Sequence, residues 1–294
     1  MSEPLLPPAE FAALIGQYGR SDASLDVFED GGAVWVEGCG VSATPLQQTG
    51  PLRFLDEAKR RHFEFIAGGA AIILGETVLP RFDLGAERIA TFQRALIPGE
   101  LPAMSGNAVG PLVSLAQAVP GIRLDIRYAT TDNFMGMPVY DRACAFARPV
   151  VAEALGRVHA ALAARGFGLT VYDAYRPWAV TKLFWDVVPT EFHAFVADPA
   201  VGSKHNRGCA IDLSLCDAAT GDPVDMPSRY DEPTARAHSE YRGGTSRQRW
   251  HRDVLRAAME AEGFSVQADE WWHFDFHAWQ EYPIENVNFA ALAR

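Results

Sequence analysis

The segment Ser203-Lys204-His205-Asn206-Arg207-Gly208-Cys209-Ala210-Ile211-Asp212 and, far downstream, Glu270-Trp271-Trp272-His273 contain the residue types from which a hydrolytic metal centre can be built. Two imidazoles and a carboxylate could hold a cation, and a further acid could move protons. Three protein donors leave one corner of a tetrahedral ion open, as a catalytic zinc needs, whereas a structural zinc is closed by four donors, usually including cysteine. The pattern points to metal-assisted hydrolysis.

These groups need elements to carry them. His205 and Asp212 lie seven positions apart, so a loop ending at the start of a strand, read over 210–215, can bring both to one cation. Gly208 gives that loop its backbone freedom. Residues 270–277 read as a final strand whose alternation puts Trp271, His273, Asp275 and His277 on one face. Only one of these need reach the cation; Asp275 and His277 are expected at an exposed strand end, with orientation of His273 by them as the alternative. Glu270 could take a proton from water beside a metal, and the two tryptophans after it suggest a walled, partly dry cleft. A second buried strand, 168–174, leads into Tyr175-Arg176-Pro177. Arg176 could be a surface charge, a brace for Asp173, or a cation that stabilises an oxyanion; the residues alone leave these open.

Around the strands, apolar residues at Val150, Val151, Ala154, Leu155, Val158, Leu162 and Ala163 follow the helical repeat over 148–165, with Gly166 as a stop. Helices are also predicted over 179–187 and 250–262. Helices and strands do not alternate regularly, which predicts an α+β domain over 101–294. Residues 1–100 differ in texture. Short apolar runs there are punctuated by Asp30-Gly31-Gly32, Gly68-Gly69 and Gly75-Glu76, the spacing of hairpins in a small antiparallel sheet or barrel. The opening Phe11, Leu14, Gly16, Tyr18 and Gly19 resemble the small β-rich domain appended to some β-lactamase-related serine hydrolases, and no catalytic constellation occurs in this part. The Pro- and Gly-rich stretch 97–106 is the expected boundary.

Composition excludes several classes. A formal net charge of -11 argues against a nucleic-acid or anionic-membrane partner, leaving a small or peptide-like substrate as the expectation. No apolar run approaches the length of a membrane span. The start, Met1-Ser2-Glu3-Pro4-Leu5-Leu6-Pro7-Pro8, lacks the features of a secretion signal. Cys39, Cys144, Cys209 and Cys216 are too few to staple the fold and lack zinc-ribbon spacing. A cytoplasmic protein with mostly buried thiols is expected, although a chain whose export signal had been removed, and which therefore worked in the periplasm, would read the same.

Four motifs in order, Asp125-Ile126-Arg127-Tyr128-Ala129-Thr130-Thr131-Asp132-Asn133-Phe134-Met135-Gly136, Asp173-Ala174-Tyr175-Arg176-Pro177, the segment from Ser203 to Asp212, and Glu270-Trp271-Trp272-His273, resemble the D-alanyl-D-alanine dipeptidases of the VanX type. These belong to a wider group of zinc peptidases that includes D,D-carboxypeptidases and L,D-endopeptidases. The likeness implies a zinc D,D-peptidase-like catalytic domain with a central antiparallel sheet, following the small β-rich domain. It implies that His205, Asp212 and His273 bind Zn2+, that Glu270 is the general acid/base, and that Arg176 stabilises the transition state. Ser203 and Asp231 match substrate-contacting positions, with Asp231 holding the ammonium of a small D-dipeptide; Asp231 could instead cap a helix beginning near Glu232. Rival readings are a carboxypeptidase or endopeptidase trimming peptidoglycan stems, and a noncatalytic zinc-containing peptide-binding module. The sequence leaves the oligomeric state open.

Overall fold

The computed structural model describes residues 2–20, 23–105 and 108–293; Met1 of the N-terminal reading and Gly106 of the predicted boundary lie outside them. By their contacts the residues form two compact units. The first comprises Met1–Arg88, Asp225–Arg236 and Glu240–Arg252, and the second Ile89–Val224, Ala237–Ser239 and Asp253–Arg294.

The hairpin spacing of the first unit closes into a barrel of eight antiparallel strands. They are β1 (Gly16–Arg20), β2 (Ala23–Asp30), β3 (Ala33–Gly38), β4 (Val41–Gly50), β5 (Arg53–Asp56), β6 (Arg61–Ile66), β7 (Ala71–Leu74) and β8 (Thr77–Phe82), and β8 pairs with β1. Asp30 faces Ala33 across the two-residue turn Gly31-Gly32, where φ is 60° and 84°. Such a turn needs positive φ at both positions, which glycine supplies without steric cost. Tyr18, Leu25, Val27, Val36, Phe54, Phe63, Phe65 and Ile72 fill the interior, so the barrel has a packed core. The Glu29 carboxylate is buried in the same unit and accepts from Gly32 N (2.7 Å), Ser246 N (2.7 Å) and Ser246 Oγ (3.0 Å).

The second unit holds a five-stranded sheet and a two-stranded ribbon. In chain order its strands are β9 (Val113–Ser114), β10 (Arg123–Leu124), β11 (Phe146–Ala147), β12 (Phe167–Asp173), β13 (Ala210–Asp217), β14 (Phe264–Gln267) and β15 (Glu270–Phe276). The sheet runs β10-β12-β13-β15-β14, parallel only between β10 and β12, and β9 pairs with β11. Every residue of β13 except Asp217 is buried, so both faces of this central strand are covered. The helix predicted over 148–165 spans Pro149–Ala163 and buries Val151, Ala154, Leu155, Val158 and Leu162. Val150 is 36 % exposed and Ala163 is also exposed, because both fall off the stripe that Leu155 centres. The helix predicted from residue 250 begins earlier, at Ser246, just after Thr245, where a reciprocal pair marks its start. Gln248 N donates to Thr245 Oγ1 (3.0 Å) and Thr245 N donates to Gln248 Oε1 (2.9 Å), a capping box that the apolar repeat does not reveal.

One ion pair ties distant parts of this unit together. The Arg148 guanidinium, fully buried, donates to Glu285 Oε1 (2.9 Å) and to the carbonyls of Arg207, Pro111 and Pro283, while Glu285 also accepts from Val109 N and Gly110 N. Removing one partner of such a pair strands a buried charge, which costs about 3–5 kcal/mol. Glu285→Ala is therefore expected to destabilise this unit by that amount in urea unfolding, and a paired Arg148→Met/Glu285→Leu variant to recover much of it; a single substitution with no effect would show that the pair contributes no stability.

Candidate metal centre and active site

Register places the site. Across adjacent strands Asp173 of β12 faces Asp212 of β13, and Asp212 faces His273 of β15, so the three occupy one rung. The alignment depends on a register shift between Val171 and Asp173, a bulge that re-aims the end of β12. His205 comes from the loop before β13, on a single helical turn, His205–Arg207, which Gly208 ends with φ of 67°. Asn206, fully buried, locks that loop. Its Nδ2 donates to the Arg176 carbonyl (2.8 Å) and Thr181 Oγ1 (2.8 Å), and its Oδ1 accepts from Ser203 N (2.7 Å). Ser203 Oγ in turn accepts from His205 N at 3.2 Å.

Three donor atoms converge. His205 Nε2 lies 3.3 Å from Asp212 Oδ1, His273 Nδ1 lies 3.1 Å from the same oxygen, and the two nitrogens are 3.2 Å apart. A tetrahedral zinc with ligands at 2.0–2.1 Å needs donors about 3.3–3.4 Å apart, so the observed triangle fits one divalent ion. The far nitrogens are engaged as metal-binding histidines require. His205 Nδ1 donates to the Ala174 carbonyl (2.6 Å), and His273 Nε2 donates to Asp275 Oδ1 (2.9 Å). Each imidazole thus turns its other nitrogen to the shared corner. The expectation of an exposed strand end is corrected at Asp275, which is buried because β15 is covered on both faces, and holds only for His277, past the last strand residue.

The electrostatics follow from this crowding. Burial works to raise the Asp212 carboxyl, but the His205 and His273 imidazoles overcome it and hold the group well below the ordinary carboxylate range. Burial works to lower His273, yet its hydrogen bonds to Asp212 and Asp275 push it up to about 10. Glu270 Oε2 sits 3.5 Å from His273 Nδ1, with its side chain 35 % exposed. Loss of hydration raises that carboxyl, helped by the Asp212 charge and opposed by His273, His205 and Arg176. Trp271 and Trp272, both buried, pack edge to face beside it with centroids 5.3 Å apart.

Arg176 is mostly buried rather than a surface charge. Its Nε and Nη2 donate to Asp173 Oδ2 (2.9 and 2.8 Å), and Nη2 is 3.9 Å from Asp212 Oδ2. It thus braces Asp173 and also faces the triad. The rings of Tyr128 and Phe184 flank the guanidinium at 5.2 Å each. Tyr128 belongs to the 125–136 motif, whose loop Asn133 pins by donating to the carbonyls of Arg127, Thr130 and Met137. Asp173 Oδ1 accepts from Tyr140 Oη (2.8 Å) and Ala174 N (2.9 Å). Asp231 belongs to the first unit, half-buried with φ of 57°. The capping alternative for it is corrected: no helix starts at Glu232, and the next helical turn is Ala235–Ala237. Glu232 instead accepts from Arg229 N (3.3 Å) and the Thr234 hydroxyl (2.6 Å), which holds the chain in a turn.

The family model described as D-ala-D-ala dipeptidase, of the M15 peptidases, matches residues 109–291, the span that carries every one of these groups. The chain belongs to this family. As an M15 peptidase it is a metallopeptidase, a class its buried triad suits. A D-alanyl-D-alanine dipeptidase of Escherichia coli (strain K12) is 34 % identical over 181 residues, covering 62 % of this chain and 92 % of the relative. Those of Enterococcus faecium and Streptomyces coelicolor are 34 % identical over 193 residues and 32 % identical over 183, covering 60 % and 56 % of this chain and 95 % and 91 % of the relatives. The barrel lies before the M15 match.

Asn206 and Tyr128 are site-building residues that side-chain chemistry did not single out in the sequence; only their place inside the family motifs marked them. Asn206→Ala would leave Ser203 N, the Arg176 carbonyl and Thr181 Oγ1 without these partners. A loss of about 1–3 kcal/mol is expected for buried groups stranded in this way. Thermal unfolding of the ion-free variant checks it, and an unchanged midpoint would mean that water replaces the amide.

Proposed function

We propose that this chain is a zinc-dependent D-alanyl-D-alanine dipeptidase, in which residues 101–294 form the catalytic domain, with the zinc D,D-peptidase layout around the central sheet, and residues 1–100 an accessory domain. The convergence of His205 Nε2, Asp212 Oδ1 and His273 Nδ1 beside Glu270 carries this reading. Two nitrogen donors and one oxygen donor at tetrahedral spacing suit Zn2+, and His205, Asp212 and His273 would hold it. When bound, the ion would supply Lewis acidity, acidifying a water toward a pKa of about 7 and polarising the amide carbonyl.

The protein groups do the rest. Glu270 takes the proton of the attacking water and delivers it to the departing amine, and its raised carboxyl makes it a stronger base than a solvated glutamate. Arg176, fixed by Asp173, faces the oxyanion that develops on the carbonyl; one such donor is worth about 3 kcal/mol. Ser203, whose hydroxyl accepts from His205 N, would contact the substrate. Asp231, in a left-handed conformation uncommon outside glycine, holds the free ammonium of the D-dipeptide. The substrate is that small dipeptide rather than a nucleic acid or lipid, consistent with the acidic chain. The four free thiols support a cytoplasmic setting.

Glu270→Ala is expected to lower turnover of D-alanyl-D-alanine by about 10²–10⁴-fold with zinc content retained; near-normal rates would remove Glu270 from the mechanism. A free dipeptide should be cleaved and its N-acylated form refused, and chelation should abolish the activity until zinc is restored. Efficient cleavage of the blocked substrate would favour a carboxypeptidase or endopeptidase. Ion binding should also depend on pH in a defined direction. His273 stays protonated up to about 10 in the ion-free site, so an arriving ion must displace that proton. Affinity should therefore rise between about pH 7 and 10, by up to roughly tenfold per unit for one proton, as chelator competition would show; a flat profile would contradict a protonated His273.

A further inference from the structure

The groups behind His273 form a chain of contacts that the hydrolytic reaction does not use directly. Asp275 Oδ1 accepts from His273 Nε2 at 2.9 Å, and Lys204 Nζ donates to Asp275 Oδ2 at 2.5 Å. Lys204 Nζ also lies 5.4 Å from the centroid of the Trp279 ring, and the Arg207 guanidinium lies at the same 5.4 Å. Lys204 immediately precedes His205, so one ammonium joins the backbone of the first histidine's turn to the carboxylate that orients the second histidine. We infer that Lys204 and Asp275 are positioning residues for the metal centre, with Trp279 as the platform that holds Lys204 in place.

The physical case rests on where the charge lies. Asp275 is buried, and a buried carboxylate aims reliably at one donor only if its other oxygen is also bound. Lys204 binds that oxygen. Left without the ammonium, the carboxylate could rotate or draw in water, and the His273 ring would lose its fixed orientation toward Asp212. Outer partners of this kind change metal affinity by about 10–100-fold when removed. The lysine is 34 % exposed at its side chain, so changing it should perturb packing little. The assignment rests on the metal-binding reading above.

The test uses the full-length, ion-free protein titrated with Co2+ against a competing chelator, with the visible ligand-field bands recorded. Asp275→Asn should weaken Co2+ binding by about 10–100-fold and shift the bands. Lys204→Met should act in the same direction by a smaller factor, and Lys204→Arg should restore native behaviour. In the Asp275→Asn background, Lys204→Met should add nothing, because both act through one link. Native affinity and native bands in Asp275→Asn would overturn the inference, as would a Lys204→Met effect of equal size in both backgrounds. Should Asp275→Asn fail to fold, Lys204→Met against Lys204→Arg still decides, since equal behaviour of the two would remove the role of the cation. Failure of the native protein to take up Co2+ would instead remove the metal reading itself, and the inference with it.

Discussion

Two carboxylates set side by side on one buried rung are the constraint that the catalytic unit is built to satisfy. Asp173 and Asp212 are register neighbours on antiparallel strands, where opposing Cβ atoms lie about 4.5–5.5 Å apart and like charges repel. Burial strengthens that repulsion. The structure resolves it by giving each carboxylate its own cationic environment. Arg176 takes Asp173 through two nitrogens, and the imidazoles of His205 and His273 take Asp212. The outcome is asymmetric: Asp173 is raised, burial outweighing Arg176, whereas Asp212 is held low and ionised. One arrangement thus leaves an ionised carboxylate between two imidazoles and a guanidinium braced beside it.

Much of this was legible in the sequence because it is local. The helix at Pro149–Ala163 follows from its apolar repeat, and the strands carrying Asp212 and His273 follow from short apolar runs bounded by turns. Some barrel hairpins follow from glycine pairs such as Gly31-Gly32 and Gly68-Gly69, whereas other turns place Cys39, Leu52, Arg60 and Ala67 at positive φ and give no such signal. The sequence offers donors of the right type for a cation and the resemblance picks out three of them, and the fold brings His205, Asp212 and His273 together. Arg176 was harder, since nothing in the pentapeptide around it says which way a long side chain turns; the Tyr128 and Phe184 rings that flank it come from other elements.

What escaped sequence reading is what distance in the chain conceals. The bulge that brings Asp173 onto the rung depends on pairing with a strand some forty residues away, and no local residue announces it. Alternation gives Asp275 a face but not what covers it, so the burial that decides between a strand end and a partner of His273 is visible only in the fold. Arg148 and Glu285 are separated by 137 positions, so their union is visible only once the fold has closed. Segments Asp225–Arg236 and Glu240–Arg252 belong by contact to the barrel unit, an arrangement that a linear division of the chain into consecutive pieces cannot express.

Charge balance links these separate features to the chemistry. Within direct reach of the triad stand four carboxyl groups, Asp173, Asp212, Glu270 and Asp275, and two permanent cations, Arg176 and Lys204. With both imidazoles neutral and all four carboxyls ionised, the cluster would carry two uncompensated negative charges in a largely buried place, a costly state. The crowding shifts three of its members: the His273 imidazole is pushed up to about 10, and burial raises the Glu270 and Asp173 carboxyls. A single divalent cation would cancel the same excess. The cluster is therefore matched in charge as well as in spacing to one dication, and Glu270 is the most exposed of the four carboxyls, while the other three are tied to close partners.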